Sequence, residues 1–109
     1  MIQTKAQLVR YLKTINNTYR LAIDTEFKRI NTYYPELCLV QIATTDSAEC
    51  IDVLSIKDLE PLFEKLYHIN TEWVVHSARQ DIEALYHLSK RIPTSLFDTQ
   101  IAASLLNYP

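Results

Sequence analysis

Apolar positions recur along this chain with two different periods, which predict a mixed α/β protein. In residues 4–15, Leu8, Tyr11, Leu12 and Ile15 form one helical stripe. Similar spacing predicts further helices over residues 58–67, 78–88 and 98–106. Alternating or nearly continuous apolar runs predict strands over residues 21–27, 37–44, 49–53, 73–76 and 95–97.

The connections between these elements predict how the strands pair. Short polar segments join the first three strands, which is typical of antiparallel neighbours. The helix over residues 58–67 separates the third strand from the fourth, and such a crossover is typical of parallel pairing. The expected fold class is therefore α/β with one mixed sheet.

The strand over residues 21–27 carries the first candidate chemistry. Side chains alternate along a strand, so Asp24 and Glu26 share one face and Thr25 lies on the other. Acids two residues apart lie roughly 6.5 Å from each other along a strand. Both can therefore reach one divalent cation, since hard cations prefer oxygen ligands. Two solvated surface acids are the alternative interpretation of the same pattern.

A third acid lies in the helix over residues 78–88. On a helical wheel Asp81 falls within the apolar stripe, between Leu85 and Leu88. An acid that faces inward is costly unless it is paired or binds a metal, so a neighbouring Arg or Lys is the alternative partner. Ser77 is expected to be the N-cap of this helix, with Gln80 completing a capping box. Asp98 is expected to cap the last helix.

Composition narrows the classes of function. The chain has 109 residues, no glycine and a net charge of -2. The absence of glycine excludes glycine-rich phosphate loops, and the weak charge gives no global field for nucleic acid. Cys38 and Cys50 lack the spacing of a zinc or redox site. They are expected to be buried free thiols, which suits a reducing cytoplasm. No apolar run approaches ~18 residues, so we expect no membrane span.

Three segments together resemble a known family. Asp24-Thr25-Glu26-Phe27, with residues 32–37 and 39–42 after it, resembles the first exonuclease motif of ribonuclease D. His76-Ser77-Ala78 with Asp81-Ile82 is similar to the second motif, and residues 97–100 are similar to a later segment. The chain is thus identified as a member of the ribonuclease D-like DEDD 3′–5′ exonucleases.

This resemblance implies a ribonuclease H-like mixed five-stranded sheet flanked by helices, with three antiparallel strands followed by two parallel ones. It implies Asp24, Glu26 and Asp81 as catalytic residues that bind two divalent metal ions, Mg²⁺ or Mn²⁺. The implied substrate is the 3′ end of RNA, including transfer RNA precursors. The expected substrate-binding residues are Thr25, Phe27 and Tyr34.

The sequence departs from the family pattern at its third motif, a Tyr followed four residues later by an Asp. No acid follows Asp98, and Tyr108 is the only tyrosine there. We therefore expect residues 1–109 to be part of an exonuclease domain with an impaired second metal site. We also expect homo-oligomers through the surface left by the missing helix. The alternatives are an inactive remnant that binds metal or nucleic acid ends without turnover, and a plain α/β interaction module.

Overall fold

The computed structural model describes residues 1–29 and 35–106, which form four helices and five strands. The helices are α1 (Lys5–Thr14), α2 (Glu60–Leu66), α3 (Ala78–Ser89) and α4 (Thr99–Leu105). The strands are β1 (Arg20–Arg29), β2 (Pro35–Ala43), β3 (Ala48–Asp52), β4 (Glu72–Val75) and β5 (Ser95–Asp98). Every element expected from the periodicity is present, with ends displaced by a few residues. No helix in these two ranges has the length and apolar character needed to span a membrane.

The five strands form one mixed sheet in the order β3-β2-β1-β4-β5. β1 is antiparallel to β2, and β2 is antiparallel to β3. β4 is parallel to both β1 and β5. The predicted combination of antiparallel and parallel strands is therefore confirmed, and β1 lies at the centre of the sheet.

The pairing of β1 with β2 contains a β-bulge beside the acidic segment. Glu26 lies opposite Leu39, whereas the next residue, Phe27, lies opposite Leu37. Cys38 is therefore an extra residue on β2. A bulge of this kind bends the strand that carries the extra residue and increases the local twist, so β2 bends beside the acidic segment of β1.

The two faces of β1 differ in burial. Leu21, Ile23 and Thr25 are buried, whereas Asp24 and Glu26 are exposed. This alternation confirms the predicted faces of the strand. The buried face belongs to one apolar core that also includes side chains of α1, α2 and α3, among them Leu8, Leu62, Leu66 and Leu85.

Trp73 on β4 is the largest fully buried side chain of this core. Its indole Nε1 donates a hydrogen bond to the Leu66 carbonyl oxygen at 2.7 Å. The hydrogen bond ties the end of α2 to the sheet and satisfies the one polar atom of the indole.

The starts of two helices show how well local sequence predicts capping. At α1 the capping box is present, because the Thr4 side chain accepts from Gln7 and the Gln7 side chain accepts from Thr4. At α3 the predicted cap is wrong. Ser77 has a left-handed backbone, with φ 59 and ψ 62, and its side chain makes no capping hydrogen bond.

The inward face of α3 also differs from the predicted stripe. Ala78, Asp81, Ala84 and Leu85 are buried, whereas Leu88 is 49% exposed. The helix is thus rotated so that its small residues face the sheet, which allows a close approach to β1 and β2. The inward orientation of Asp81 is confirmed.

Candidate active site

The partial pairing of β1 with β4 creates the space for an acid from α3. Only Arg20 to Ala22 of β1 pair with β4, which ends at Val75. The chain then turns and begins α3 at Ala78. On the edge of β1 that faces β4, the segment that carries Asp24 therefore lies beside the first turn of α3, while its other edge remains paired with β2.

Asp81 lies in that first turn and is 7% exposed. Its Oδ1 accepts a hydrogen bond from the Thr25 hydroxyl at 2.5 Å. Burial is the main cause that raises the pKa of Asp81, and the negative charges of Asp24 and Asp98 raise it further. The hydrogen bond from Thr25 opposes this change. The structure therefore brings Asp24 and Asp81 together as electrostatic neighbours.

The two acids of β1 share the exposed face. Oδ1 of Asp24 accepts from the Thr25 backbone N–H at 3.0 Å, which holds its carboxylate close to the strand. Glu26 lies two residues further on the same face. Within residues 1–29 and 35–106, no three His, Cys, Asp or Glu side chains are grouped so that they could hold a metal ion. Glu26 is therefore not brought into the same cluster as Asp24 and Asp81.

The donor set of Asp24 and Asp81 fits a hard divalent cation. Both residues supply carboxylate oxygens, which Mg²⁺ and Mn²⁺ prefer. Two neighbouring carboxylates repel each other unless a proton or a cation lies between them, and the raised pKa of Asp81 reflects this repulsion in part.

An open groove of about 350 Å³ lies on the exposed face of the sheet, beside Asp24. It extends across β1, β2 and β3, and its lining includes the side chains of Ala22, Gln41, Ala43, Ala48 and Cys50. The small side chains leave room next to the acid, and the volume is within the range typical of ligand sites.

Of the three residues expected to bind substrate, the structure describes Thr25 and Phe27. Thr25 is buried, and its hydroxyl is used by Asp81. Phe27 is half-buried against the core, with the Arg29 guanidinium 5.8 Å from its ring centre. Arg29 also lies 3.7 Å from Glu83 of α3 in an ion pair. Tyr34 lies outside the described residues.

Sequence reasoning missed the contacts that Asp98 makes with α3. Its carboxylate accepts from the backbone N–H groups of Ser77 at 3.1 Å and Ala78 at 2.8 Å. It also caps α4, as predicted, by accepting from Gln100 and Ile101. The contacts with Ser77 and Ala78 follow from the parallel register of β4 and β5, which places Asp98 opposite Val75.

A family model described as 3′–5′ exonuclease matches residues 1–109. The chain belongs to this 3′–5′ exonuclease family. The acids of β1 and α3 thus lie within the segment that the exonuclease model matches. The fold class predicted from the sequence agrees with that of ribonuclease D.

Two curated exonucleases show the extent of the likeness. The chain is 46% identical over 98 residues to ribonuclease D of Bartonella henselae, which covers 89% of this chain and 24% of the relative. It is 42% identical over 109 residues to ribonuclease D of Nitrobacter hamburgensis, which covers 99% of this chain and 28% of the relative. The chain spans about a quarter of the length of these relatives.

A crystal structure gives the same relationship in three dimensions. Escherichia coli RNase D superposes with a TM-score of 0.91 at 33% sequence identity, covering 100% of this chain and 29% of that protein. That protein is described as an exoribonuclease involved in structured RNA processing. DEDD exonucleases generally use divalent metals, which agrees with the oxygen ligands at this site.

Proposed function

We propose that this chain forms part of a metal-dependent 3′–5′ exoribonuclease, which hydrolyses phosphodiester bonds at RNA 3′ ends. The observation that carries the proposal is the position of Asp81, buried in the first turn of α3 and next to Asp24 of β1. Similarity to Escherichia coli RNase D supports the same reaction. Transfer RNA precursors, which the resemblance to the ribonuclease D family implies, are the proposed physiological substrates.

Asp24, Glu26 and Asp81 are the proposed metal ligands and catalytic residues. Two bound divalent ions, Mg²⁺ or Mn²⁺, would supply an activated water and stabilise the leaving oxygen. Asp24 and Asp81 are electrostatic neighbours, and Thr25 orients the Asp81 carboxylate through its hydroxyl. Glu26 shares the exposed face with Asp24 and is the third proposed ligand.

The proposed partner is an RNA 3′ end, with Thr25, Phe27 and Tyr34 as its contacts. The groove beside Asp24 supports a substrate on the exposed face of the sheet. Arg79 is exposed at the start of α3 and can contact a phosphate there. Two free cysteines, Cys38 and Cys50, support a cytoplasmic location.

We also propose that the chain self-associates. Large apolar side chains on β5 and α4 are exposed, and monomeric proteins seldom expose contiguous apolar patches of large area. These exposed side chains are Leu96, Phe97, Ile101, Leu105 and Leu106.

The test is a degradation assay on single-stranded RNA carrying a 5′ label, with Mg²⁺ or Mn²⁺. We expect a ladder that shortens from the 3′ end and is lost in Asp24→Asn. Asp46→Asn is the matched control, because Asp46 is an exposed acid in the turn between β2 and β3. Products that remain in Asp24→Asn contradict the proposal, and their absence from the unmodified chain favours the second function described below.

One observation favours a second function, which is binding without turnover. The described residues hold no group of three metal ligands, and a two-ligand site binds a cation more weakly than a complete one. Mn²⁺ binding that depends on Asp24, in the absence of any RNA shortening, identifies this second function.

A further inference from the structure

We propose that Asp98 is a positioning residue, which sets the place of Asp81 by holding the start of α3 against the start of α4. This inference rests on the proposed function for its catalytic meaning. Its structural content rests on the contacts of Asp98 alone, which join two helix starts that are about 20 residues apart in the sequence.

The start of α3 is unusual. Ser77 has a left-handed backbone, which is unfavourable for a residue with a Cβ atom. Its side chain makes no capping hydrogen bond, so the first N–H groups of the helix need another acceptor. The Asp98 carboxylate is that acceptor, with Oδ1 near the Ser77 nitrogen and Oδ2 near the Ala78 nitrogen.

The oxygens of Asp98 accept hydrogen bonds from two helix starts. The carboxylate accepts four backbone N–H groups, two from Ser77 and Ala78 and two from Gln100 and Ile101. A carboxylate has about four lone-pair sites. These contacts, led by the one with Ala78, hold the pKa of Asp98 below its ordinary value. Asp98 is thus a backbone acceptor at two helix starts, with three of the four N–H groups on Oδ1 and one on Oδ2.

His76 and Thr99 form a second link at the same junction. Nδ1 of His76 lies 2.9 Å from the Thr99 hydroxyl, which also donates to the Val75 carbonyl oxygen at 3.2 Å. Asp98 and Thr99 together therefore fasten the end of β4 and the start of α3 to the end of β5. Asp81 follows one turn later, where its carboxylate accepts a hydrogen bond from the Thr25 hydroxyl of β1.

The experiment compares two matched substitutions, Asp98→Ser and Asp58→Ser. Asp58 also accepts a backbone N–H at a helix start, from Glu60 at 3.0 Å, but α2 carries none of the proposed catalytic acids. Serine is a good N-cap, so Asp98→Ser keeps a local cap on α4, while its shorter side chain cannot bridge to α3.

The first measurement is amide hydrogen exchange and the NMR resonances of Asp81 and Thr25, without metal. We expect Asp98→Ser to speed exchange at Ser77 and Ala78 and to shift the Asp81 and Thr25 resonances. Asp58→Ser should leave all four residues unchanged. If Asp98→Ser leaves the Asp81 resonances in place, the inference is wrong, whether or not the chain is a nuclease.

The second measurement is the affinity for Mn²⁺ alone, taken well below the unfolding temperature of each variant. We expect Asp98→Ser to weaken binding about 10- to 100-fold, as is typical when a group that orients a metal ligand is lost. Asp58→Ser should bind as the unmodified chain does. Equal losses in both variants would show that lowered stability alone is responsible and would overturn the positioning role.

The two proposals fail in different ways. An unmodified chain that binds no Mn²⁺ contradicts the proposed function, while the metal-free NMR measurement still decides the role of Asp98. If Asp98→Ser does not fold, Asp98→Asn replaces it, because Asn is also a good N-cap but has one acceptor oxygen where Asp has two. We then expect the NMR resonances of Asp81 to shift in Asp98→Asn as well, by a smaller amount. Resonances that do not shift contradict the inference.

Discussion

The Thr25 hydroxyl on the buried face of β1 donates to the Asp81 carboxylate at 2.5 Å. This hydrogen bond joins the central strand to α3 and gives a buried acid its partner. The sequence left an Arg or Lys as the alternative partner of Asp81. The partner in the structure is instead the neutral hydroxyl of Thr25, which lies between Asp24 and Glu26 on β1.

Replacing Thr25 with Val should remove this donor and keep the side-chain shape. Asp81 then loses a hydrogen bond to a charged group, and we expect the free energy of unfolding to fall by about 1–3 kcal/mol. Chemical denaturation at neutral pH measures the change. Thr25→Ser keeps the hydroxyl and is the control, so an equal loss in both variants would assign the effect to the methyl group instead.

The raised pKa of Asp81 predicts how stability depends on pH. Because the folded protein holds this proton more tightly than the unfolded chain, the contribution of Asp81 is most favourable below its ordinary value of 3.8. It is lost as pH rises through the raised folded pKa. Asp81→Asn does not titrate, so in metal-free buffer the stability of this variant relative to the unmodified chain should increase over that range. Denaturation curves at several pH values test this, and a constant difference would contradict it.

Divalent cations should stabilise the folded chain by binding Asp24 and Asp81. At a free Mn²⁺ concentration of about 100 times the dissociation constant, the gain is about 2.7 kcal/mol. Thermal unfolding with and without Mn²⁺ measures the gain, which Asp24→Asn and Asp81→Asn should abolish. Glu64→Gln on the exposed face of α2 is the control and should keep the full response.

Replacing Trp73 with Phe should destabilise the core. The Leu66 carbonyl oxygen loses its donor, and the smaller ring leaves space between β4 and α2. We expect a loss of about 2–4 kcal/mol, from the unpaired carbonyl and the cavity together. Far-ultraviolet circular dichroism with denaturant measures it, and a loss below about 1 kcal/mol would show that this site relaxes.

The exposed apolar side chains of β5 and α4 predict self-association in solution. Light scattering should give a mass above the 12.7 kDa of one chain, increasing with concentration. The double substitution Ile101→Lys and Leu105→Lys, at positions 61% and 79% exposed, should return the mass to that of a single chain. Leu54→Lys, at a position 60% exposed outside this patch, is the control. A monomer at high concentration contradicts the prediction.

Much of this protein follows from local sequence. The alternation along β1 fixes the shared face of Asp24 and Glu26, because side chains of a strand point to opposite faces in turn. The spacing of Thr4 and Gln7 fixes the start of α1, since both partners of a capping box lie within one turn. Short connections and one helical crossover fix the mixture of antiparallel and parallel strands.

The contacts that hold Asp81 were decided only by the tertiary structure. Asp98 reaches Ser77 because β4 and β5 are parallel and in register, a relationship between distant segments that no local pattern contains. Thr25 reaches Asp81 because the rotation of α3 buries small residues against the sheet and leaves Leu88 exposed. Local sequence thus determined which residues carry the chemistry, while the register of the sheet and the close approach of one helix determined which of them meet.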